Sequence, residues 1–405
     1  MKILVSAYVC EPLSSSEAEV GWQWVSRLCE FHEIIVITKR PSLSQNAVKS
    51  KLIERTKNLR FEYYDLPKIF DFMRTGDIRH FIYYNLWQIG TYFRARKLVK
   101  KEKFDLVHHL VYVNTWQPTY MAFLGIPFLF GPIGERARLP FVLTKHYGIK
   151  VILRENLEAF IKNAGRKYSP LMRAIYGRAA RIITTYQYIY LKIRPEFRQK
   201  ALIHPAIGTS LQNTISFTAI QSDKKIFKVL YVGRFVYLKY PDIALKGFLK
   251  FAEKHSNVQL TMIGGGKMTN SLQGITKGHP QSHTVKIFEW MNREKIYSYM
   301  NSCDVILFPT GMALLEAMSY SKPVIYLDFG GYTEFVTEEC GIKIVISDVQ
   351  KIINDIAEAL EVLYESESRR ASMGTAARKR LEEYYTWDKK VEWMNKVYHD
   401  VISDT

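Results

Sequence analysis

Short runs of apolar residues alternate with amphipathic segments along the first half of the chain. The runs read KILVSAY, EIIVITK, RFEYYDL, FDLVHHLVYV, PFLFGPI and RIITTY, and the segment after the first run predicts a helix from about Val20 to Phe31. Apolar runs of this length, separated by amphipathic stretches, are typical of parallel strands covered by helices on both faces. The first half therefore predicts a doubly wound α/β domain.

The second half repeats this pattern with the runs FKVLYVG, VQLTMIG, VKIFEW, DVILFP, PVIYLD and IKIVI. The intervening stretch 208–224 is polar and has no clear period, so we place the junction of two domains there. The predicted bounds are 1–208 for the first Rossmann-like domain, 209–224 for a linker and 225–386 for the second. Apolar residues at the helical period predict a final helix, within 387–405.

Composition changes this picture little. A chain of 405 residues is long enough for two ordinary cores, and no apolar run approaches the ~18–20 residues that a membrane-spanning helix needs. The four cysteines are widely spaced and include no C-x-x-C pair, so neither a zinc site nor a disulfide framework is indicated. A reducing cytoplasmic location is the expectation.

The net charge of +18 indicates an anionic partner, and charge alone leaves nucleic acid, anionic lipid and a phosphorylated substrate open. Residues 68–103 mix aromatic side chains with Lys and Arg. This segment is equally compatible with a core helix that has a solvated basic end and with adsorption to an anionic membrane surface. No known nucleic-acid-binding module is present in the sequence, so we expect no nucleic acid partner.

Candidate chemistry concentrates in the second half. Residues 304–328 read as a strand, a helix and a second strand, with one acid, Glu316, near the start of the helix. Backbone N–H groups and the helix dipole attract anions at such a position, so the stretch can hold a nucleotide diphosphate. Arg234 and Lys239 follow the strand FKVLYVG, and their cations suit phosphate binding.

Several short sequence motifs resemble those of a known protein family. LLEAM followed by KPVI and DFGGYTEFV, and VGRF at 232–235 followed by Lys239, resemble family 4 retaining glycosyltransferases of the GT-B fold. Further motifs occur in the same order as in this family: MKILVSAYVCEP, FDLVHHLVYV, GPIG, IGGG and TWDKKVEWM. The Gly-rich IGGG at 263–266 is more typical of a tight turn than of a phosphate loop.

The resemblance implies two Rossmann-like domains facing a cleft, with the first domain binding the acceptor and the final helix packing back on it. It also implies transfer of a sugar from a UDP-, GDP- or ADP-sugar to a glycan or lipid-linked acceptor, with retention at the anomeric carbon, in bacterial surface polysaccharide synthesis. No cofactor is expected. No metal is expected either, because side-chain cations can supply the charge and a D-x-D pair is missing from the sequence. The expected location is cytoplasmic, extending to peripheral attachment at the inner face of the plasma membrane.

By resemblance, Arg234 and Lys239 stabilise the departing diphosphate, and Glu316 accepts hydrogen bonds from the ribose hydroxyls. Trp290 and Met291 lie where the nucleobase rests in the family, and they are equally compatible with an ordinary core. The remaining donor-site residues that the resemblance indicates are Gly233, Gly311, Met312, Ala313, Leu314, Gly331 and, from the first loop, Ser16.

Two adjacent histidines, His108 and His109, end a buried strand of the first domain. Neighbouring strand residues point to opposite faces of a sheet, so at most one of them can serve the cleft, and we choose His109 as a catalytic candidate.

Three loops depart from the family pattern. The loop at 14–21 has Ala18 and Glu19 where related sequences have Pro-Gly, and the one at 131–138 lacks additional glycines. The loop at 309–312 is short, and Phe308 stands where related sequences have an acid that binds the donor sugar. A catalytically impaired GT-B protein that binds nucleotide sugars as a scaffold partner is therefore the alternative function.

Overall fold

The computed structural model describes residues 1–12, 16–41, 57–74, 76–211 and 226–404, except for the side chains of residues 77 and 78. The predicted linker 209–224 lies almost wholly outside the described residues. The described chain forms two parallel β-sheets with helices on both sides, and each sheet belongs to its own compact unit. This is the doubly wound α/β class that the apolar runs predict.

The first sheet has seven parallel strands in the order β3-β2-β1-β4-β5-β6-β7. Its central strands are mostly apolar because helices cover both faces, and the side chains of β4 and β5 are buried throughout. The strands are β1 (Lys2–Ala7), β2 (Glu33–Thr38), β3 (Leu59–Tyr63), β4 (Leu106–Val111), β5 (Phe128–Ile133), β6 (Ala179–Thr184) and β7 (Ala201–Ile203).

Helices connect these strands. The first helix begins at Ser16 and ends at Leu28, earlier than predicted at both ends, and Glu17 and Glu19 lie in its first turn, where acids suit the helix dipole. The helices are α1 (Ser16–Leu28), α2 (Asp77–Lys101), α3 (Phe141–His146), α4 (Ile149–Tyr168), α5 (Pro170–Arg178) and α6 (Gln187–Tyr190), with 3₁₀ turns at Lys68–Met73, Met121–Phe123 and Pro195–Lys200.

The second sheet has six parallel strands in the order β10-β9-β8-β11-β12-β13. The strands are β8 (Phe227–Val232), β9 (Val258–Ile263), β10 (Val285–Phe288), β11 (Val305–Leu307), β12 (Val324–Leu327) and β13 (Gly341–Ile344). The helices are α7 (Pro241–Ala252), α8 (Thr269–Lys277), α9 (Arg293–Ser302), α10 (Met312–Ser319), α11 (Tyr332–Phe335), α12 (Val349–Glu365) and α13 (Glu367–Tyr384), with 3₁₀ turns at Tyr237–Lys239 and Pro280–Thr284.

The final helix, α14 (Trp387–Ser403), belongs to the unit of the first sheet. Trp387 packs edge-on against Trp24 of α1 at a ring distance of 5.6 Å, and the Tyr398 hydroxyl lies 2.7 Å from His108 Nδ1 of β4. Buried apolar positions at the helical period make these contacts, and the end of the chain therefore helps to cover the first sheet.

One segment of the N-terminal half belongs to the other unit. The first unit comprises residues 1–136, 158–208 and 387–405, whereas 137–157 groups with 209–386. Leu139 and Leu143 lie in the core of the second unit. His146 Nε2 and the Tyr147 hydroxyl each lie 2.8 Å from the carboxylate of Asp242 in α7. This grouping differs from the predicted bounds, because core leucines and contacts with a buried carboxylate far along the chain join the segment to the second unit.

Candidate functional site

The candidate site lies at the carboxyl ends of the strands of the second sheet. Strands β8 and β11 are hydrogen-bonded parallel neighbours, with Val229 opposite Val305. Gly233 and Arg234 follow β8, and Thr310 and Gly311 follow β11, so the two connections leave the sheet at the same edge. Open α/β sheets bind their ligands at this edge.

Lys239 ends the 3₁₀ turn after β8, and its side chain reaches the β11 connection. Its Nζ donates a hydrogen bond to Thr310 Oγ1 and lies 6.0 Å from the centre of the Tyr332 ring. Three connections of the sheet therefore meet at the lysine ammonium.

The ammonium is electrostatically unfavourable in the free protein. Burial, assisted by the nearby Arg234 guanidinium, lowers the pKa of Lys239 to about 8. The side chain of Arg234 itself is exposed. A partly buried ammonium beside a second cation, with a hydroxyl rather than a carboxylate as its hydrogen-bond partner, is suited to receive an anionic ligand.

Gly311 precedes helix α10 in a left-handed conformation with φ of 62°, which favours glycine. The helix then starts with Met312 and Ala313, which are partly exposed, while the Leu314 side chain is fully buried. First-turn N–H groups of a helix lack partners within the helix, so this end of α10 can bind an anion. Gly331 occupies the equivalent position before the short helix α11.

Glu316 lies in the second turn of α10 and is partly buried. The Tyr297 hydroxyl of α9 donates a 3.1 Å hydrogen bond to its Oε1. Burial raises the pKa of the Glu316 carboxyl, and the Arg293 guanidinium and the bond from Tyr297 offset part of that effect. The carboxylate is thus held in one orientation by a neighbouring helix and leaves Oε2 for a ligand.

The Gly-rich turn 263–266 brings backbone against backbone. A Cβ at Gly264 would lie 1.9 Å from the Gly233 carbonyl oxygen, and one at Gly266 would lie 2.5 Å from the Phe235 carbonyl oxygen. These contacts agree with the predicted tight turn. Next to this turn, Trp290 lies 3.5 Å from the Cβ position of Gly265 and is 54% exposed, while Met291 is partly exposed. Neither residue is in the core.

The site residues predicted in the first unit take other positions. Ser16 is exposed as the first residue of α1, and Glu19 lies inside this helix, where it accepts a 2.6 Å hydrogen bond from Gln23. His109 is 2% exposed and stacks on Phe130, with Nε2 3.4 Å from the Tyr84 hydroxyl. Burial lowers the pKa of His109 to about 3.

His109 is thus a neutral imidazole enclosed by α2 and β5, and its catalytic role stays a prediction. His108 points to the opposite face of the sheet and contacts Tyr398, so the alternation of the two side chains follows the strand pattern.

Three residues of the site were not found from the sequence: Thr310, Tyr297 and Tyr332. Thr310 adjoins the predicted Gly311, and Tyr332 lies within the motif GGYTEFV, so the neighbouring motifs carried a signal for both. Tyr297 is separated from Glu316 by 19 positions and by strand β11, and no local spacing indicates their contact. Among the described residues, no group of three or more His, Cys, Asp or Glu could hold a metal ion.

Two parallel-sheet Rossmann-like units, with cations and an acid at the ligand edge of the second, define a GT-B protein. Solved structures agree at the level of fold. Sucrose-phosphate synthase from Thermosynechococcus elongatus matches with a TM-score of 0.68 at 16% identity, covering 100% of both chains. Anabaena HepE in complex with UDP matches with a TM-score of 0.64 at 13% identity, covering 99% of this chain and 100% of that one.

Residues 212–380 match the family "Glycosyl transferases group 1". An uncharacterized glycosyltransferase of Methanocaldococcus jannaschii is 21% identical over 369 residues, 86% of this chain and 92% of the relative. A GDP-mannose-dependent monoacylated alpha-(1-6)-phosphatidylinositol monomannoside mannosyltransferase of Corynebacterium glutamicum is 26% identical over 168 residues, 38% of this chain and 42% of the relative. With the latter, the chain shares less than half the length of either protein.

Proposed function

We propose that this chain is a retaining glycosyltransferase of the family 4 type, which transfers a sugar from a nucleoside diphosphate sugar to a glycan or lipid-linked acceptor. The observation that carries the proposal is the arrangement around Thr310. The partly buried ammonium of Lys239 contacts Thr310 just before the start of α10, with an arginine nearby, and the held carboxylate of Glu316 lies in the second turn of that helix. A diphosphate and a ribose are the parts of the donor that these groups fit.

In this proposal the diphosphate lies between Lys239 and the N-terminus of α10, and Arg234 contributes a second cation. Negative charge grows on the β-phosphate as its bond to the sugar breaks, so these cations stabilise the transition state more than the bound donor. The leaving phosphate oxygen accepts the proton of the acceptor hydroxyl on the same face of the sugar, and no side-chain base is assigned.

Glu316 binds the nucleoside. Its Oε1 is occupied by Tyr297, and Oε2 is proposed to accept hydrogen bonds from the ribose hydroxyls. Trp290, exposed beside the Gly-rich turn, offers a flat apolar surface on which a base can stack. Support for a nucleotide donor comes from the relatives: the Corynebacterium enzyme is named as GDP-mannose-dependent, and the Anabaena structure contains UDP.

The test has two parts. Thermal shift with UDP, GDP and ADP should raise the unfolding temperature for at least one nucleotide, because binding to the native state alone stabilises it. Glu316→Gln should abolish most of that shift, whereas Glu294→Gln, on the exposed first turn of α9, should not. Proton NMR of the product formed from the matching nucleotide sugar should then show the same anomeric configuration as the donor. An inverted product would refute the retaining assignment.

One observation favours the alternative of a catalytically impaired scaffold protein. Phe308, at the position where related sequences have an acid for the donor sugar, is 4% exposed and packs in the core of the second unit. Its side chain therefore offers no polar group to a sugar. Nucleotide binding without either transfer or hydrolysis of any nucleotide sugar would support the scaffold and overturn the enzyme.

A further inference from the structure

Helix α4 (Ile149–Tyr168) has an apolar face that is exposed to solvent, and the sequence alone did not predict this exposure. Large apolar side chains recur on this face at helical spacing and are between 45% and 71% exposed: Ile149, Leu153, Leu157, Phe160, Ile161 and Tyr168. Scattered exposed apolar residues are common on proteins, but a stripe of six along one helix is not scattered. At 20 residues, the helix is about 30 Å long.

The basic and acidic side chains of α4 differ in their exposure to solvent. Lys150, Arg154 and Lys167 lie at exposed positions beside the apolar stripe. Neither acid of the helix lies at an exposed position beside the stripe. Glu155 is 2% exposed, and Glu158 forms ion pairs with Arg136 at 2.8 Å and Lys162 at 2.6 Å. Within this fully described helix, no exposed position carries an acid.

An exposed apolar stripe flanked only by cations is complementary to a layer that is apolar inside and negatively charged at its surface. Helices of this kind lie in the plane of a bilayer interface with the apolar face below the headgroups, and basic residues near anionic headgroups add ~1 kcal/mol each. No described helix is long and apolar enough to cross a bilayer. We infer that α4 is the membrane-docking surface of this protein and that its partner is an anionic lipid bilayer.

This inference places the contact outside the segment 68–103 that the sequence pointed to. Helix α2 of that segment has four large exposed apolar residues, Phe81 at 37%, Ile82 at 40%, Ile89 at 39% and Phe93 at 56%, which are fewer and on average less exposed than those of α4. The 3₁₀ turn before α2 adds Ile69 at 76% and Phe72 at 60%. Arg94 is paired with Glu62 at 2.7 Å. Helix α2 therefore serves as the matched control for α4.

The inference rests on the proposed function only in that a lipid-linked acceptor gives a reason for docking. The test uses the full chain without any donor. The triple variant Ile149→Ser, Leu153→Ser, Leu157→Ser is compared with Ile82→Ser, Ile89→Ser, Phe93→Ser by sedimentation with vesicles of mixed phosphatidylglycerol and phosphatidylcholine. We expect the α4 variant to lose at least ~10-fold in vesicle partitioning and the α2 variant to stay within about twofold of wild type. Vesicles of phosphatidylcholine alone should retain little of any variant.

A second measurement does not depend on a triple substitution. The four native cysteines are buried, so a single Leu153→Cys variant can be labelled selectively with an environment-sensitive fluorophore, and Ile89→Cys provides its control. Anionic vesicles should shift the emission of the Leu153 label to shorter wavelength and leave that of the Ile89 label unchanged. Equal behaviour of the two labels would overturn the inference.

Other outcomes also decide the question. Wild type that ignores anionic vesicles overturns the docking surface, even if sugar transfer to a soluble acceptor leaves the proposed function intact. Conversely, vesicle binding through α4 in a protein without transferase activity supports this inference and refutes only the proposed function. If gel filtration with light scattering shows a dimer that the α4 variant dissociates, while vesicle binding is unchanged, the face is an interface with a second copy of the chain and the inference is wrong.

Discussion

Replacing Lys239 with methionine should make the free protein more stable and abolish diphosphate binding. The pKa of Lys239 is about 8 instead of the ordinary 10.5, and at ~1.4 kcal/mol per pH unit this corresponds to ~3 kcal/mol for holding the charge in the folded protein. Loss of the hydrogen bond to Thr310 costs ~1 kcal/mol in return. The net gain is about 2 kcal/mol, or ~4–8 °C in the unfolding temperature of a domain of this size.

The sign follows from proton binding. The folded pKa lies below the unfolded one, so the charged lysine destabilises the fold below about pH 8, and the cost is relieved as pH rises towards about 10.5. The stabilising effect of Lys239→Met should therefore be large at about pH 7 and small at about pH 10.

Thermal unfolding followed by circular dichroism, at both pH values and with or without UDP, GDP or ADP, measures both effects. Lys239→Arg is the control, because it keeps the charge and should retain the ligand response. A methionine variant that melts below wild type at neutral pH, and that still responds to nucleotide, would refute the placement of an uncompensated cation at a phosphate site.

Three further outcomes are expected. Tyr297→Phe should weaken nucleotide binding by ~3–10-fold, as expected for one lost hydrogen bond to a carboxylate. Tyr320→Phe is the control, because its buried hydroxyl makes no hydrogen bond. Calorimetric titration measures both affinities, and equal affinities in the two variants would remove Tyr297 from the site. Arg234→Ala should lower kcat more than it raises KM, because its cation acts on charge that develops in the transition state; steady-state kinetics showing only a raised KM would limit it to ground-state binding. Diphosphate affinity should fall as pH rises through about 8, as Lys239 loses its proton, and should stay nearly constant in Lys239→Arg; an equal fall in both would assign the titration to another group.

Much of the fold could be predicted from local pattern. Apolar runs of six or so residues specify buried parallel strands, because a strand covered on both faces has no polar side, and every predicted run overlaps a strand of the structure. The same locality explains why Arg234, Lys239 and Glu316 could be proposed as site residues. Each lies in the connection or helix that follows a strand, and the carboxyl edge of a parallel sheet is where such connections meet.

The rest depended on contacts between residues far apart in the chain. Lys239 meets Thr310 across 71 positions and Tyr297 meets Glu316 across 19, so no spacing rule applies to either contact. A histidine near the end of an apolar strand is compatible with either a buried or an exposed side chain. The side chain of His109 is buried because α2 packs against the sheet.

Residues 137–157 and helix α4 show the same division. The sequence of α4 determines a helix with apolar residues on more than one side, but whether a given side is covered depends on which elements pack against it. Just before α4, Tyr147 hydrogen-bonds Asp242 of the second unit. Within α4, Glu155 is buried, whereas Ile149, Leu153 and Leu157 are exposed. Local sequence thus determined the elements and the edge where ligands bind, whereas long-range packing decided which side chains were buried, paired or left exposed.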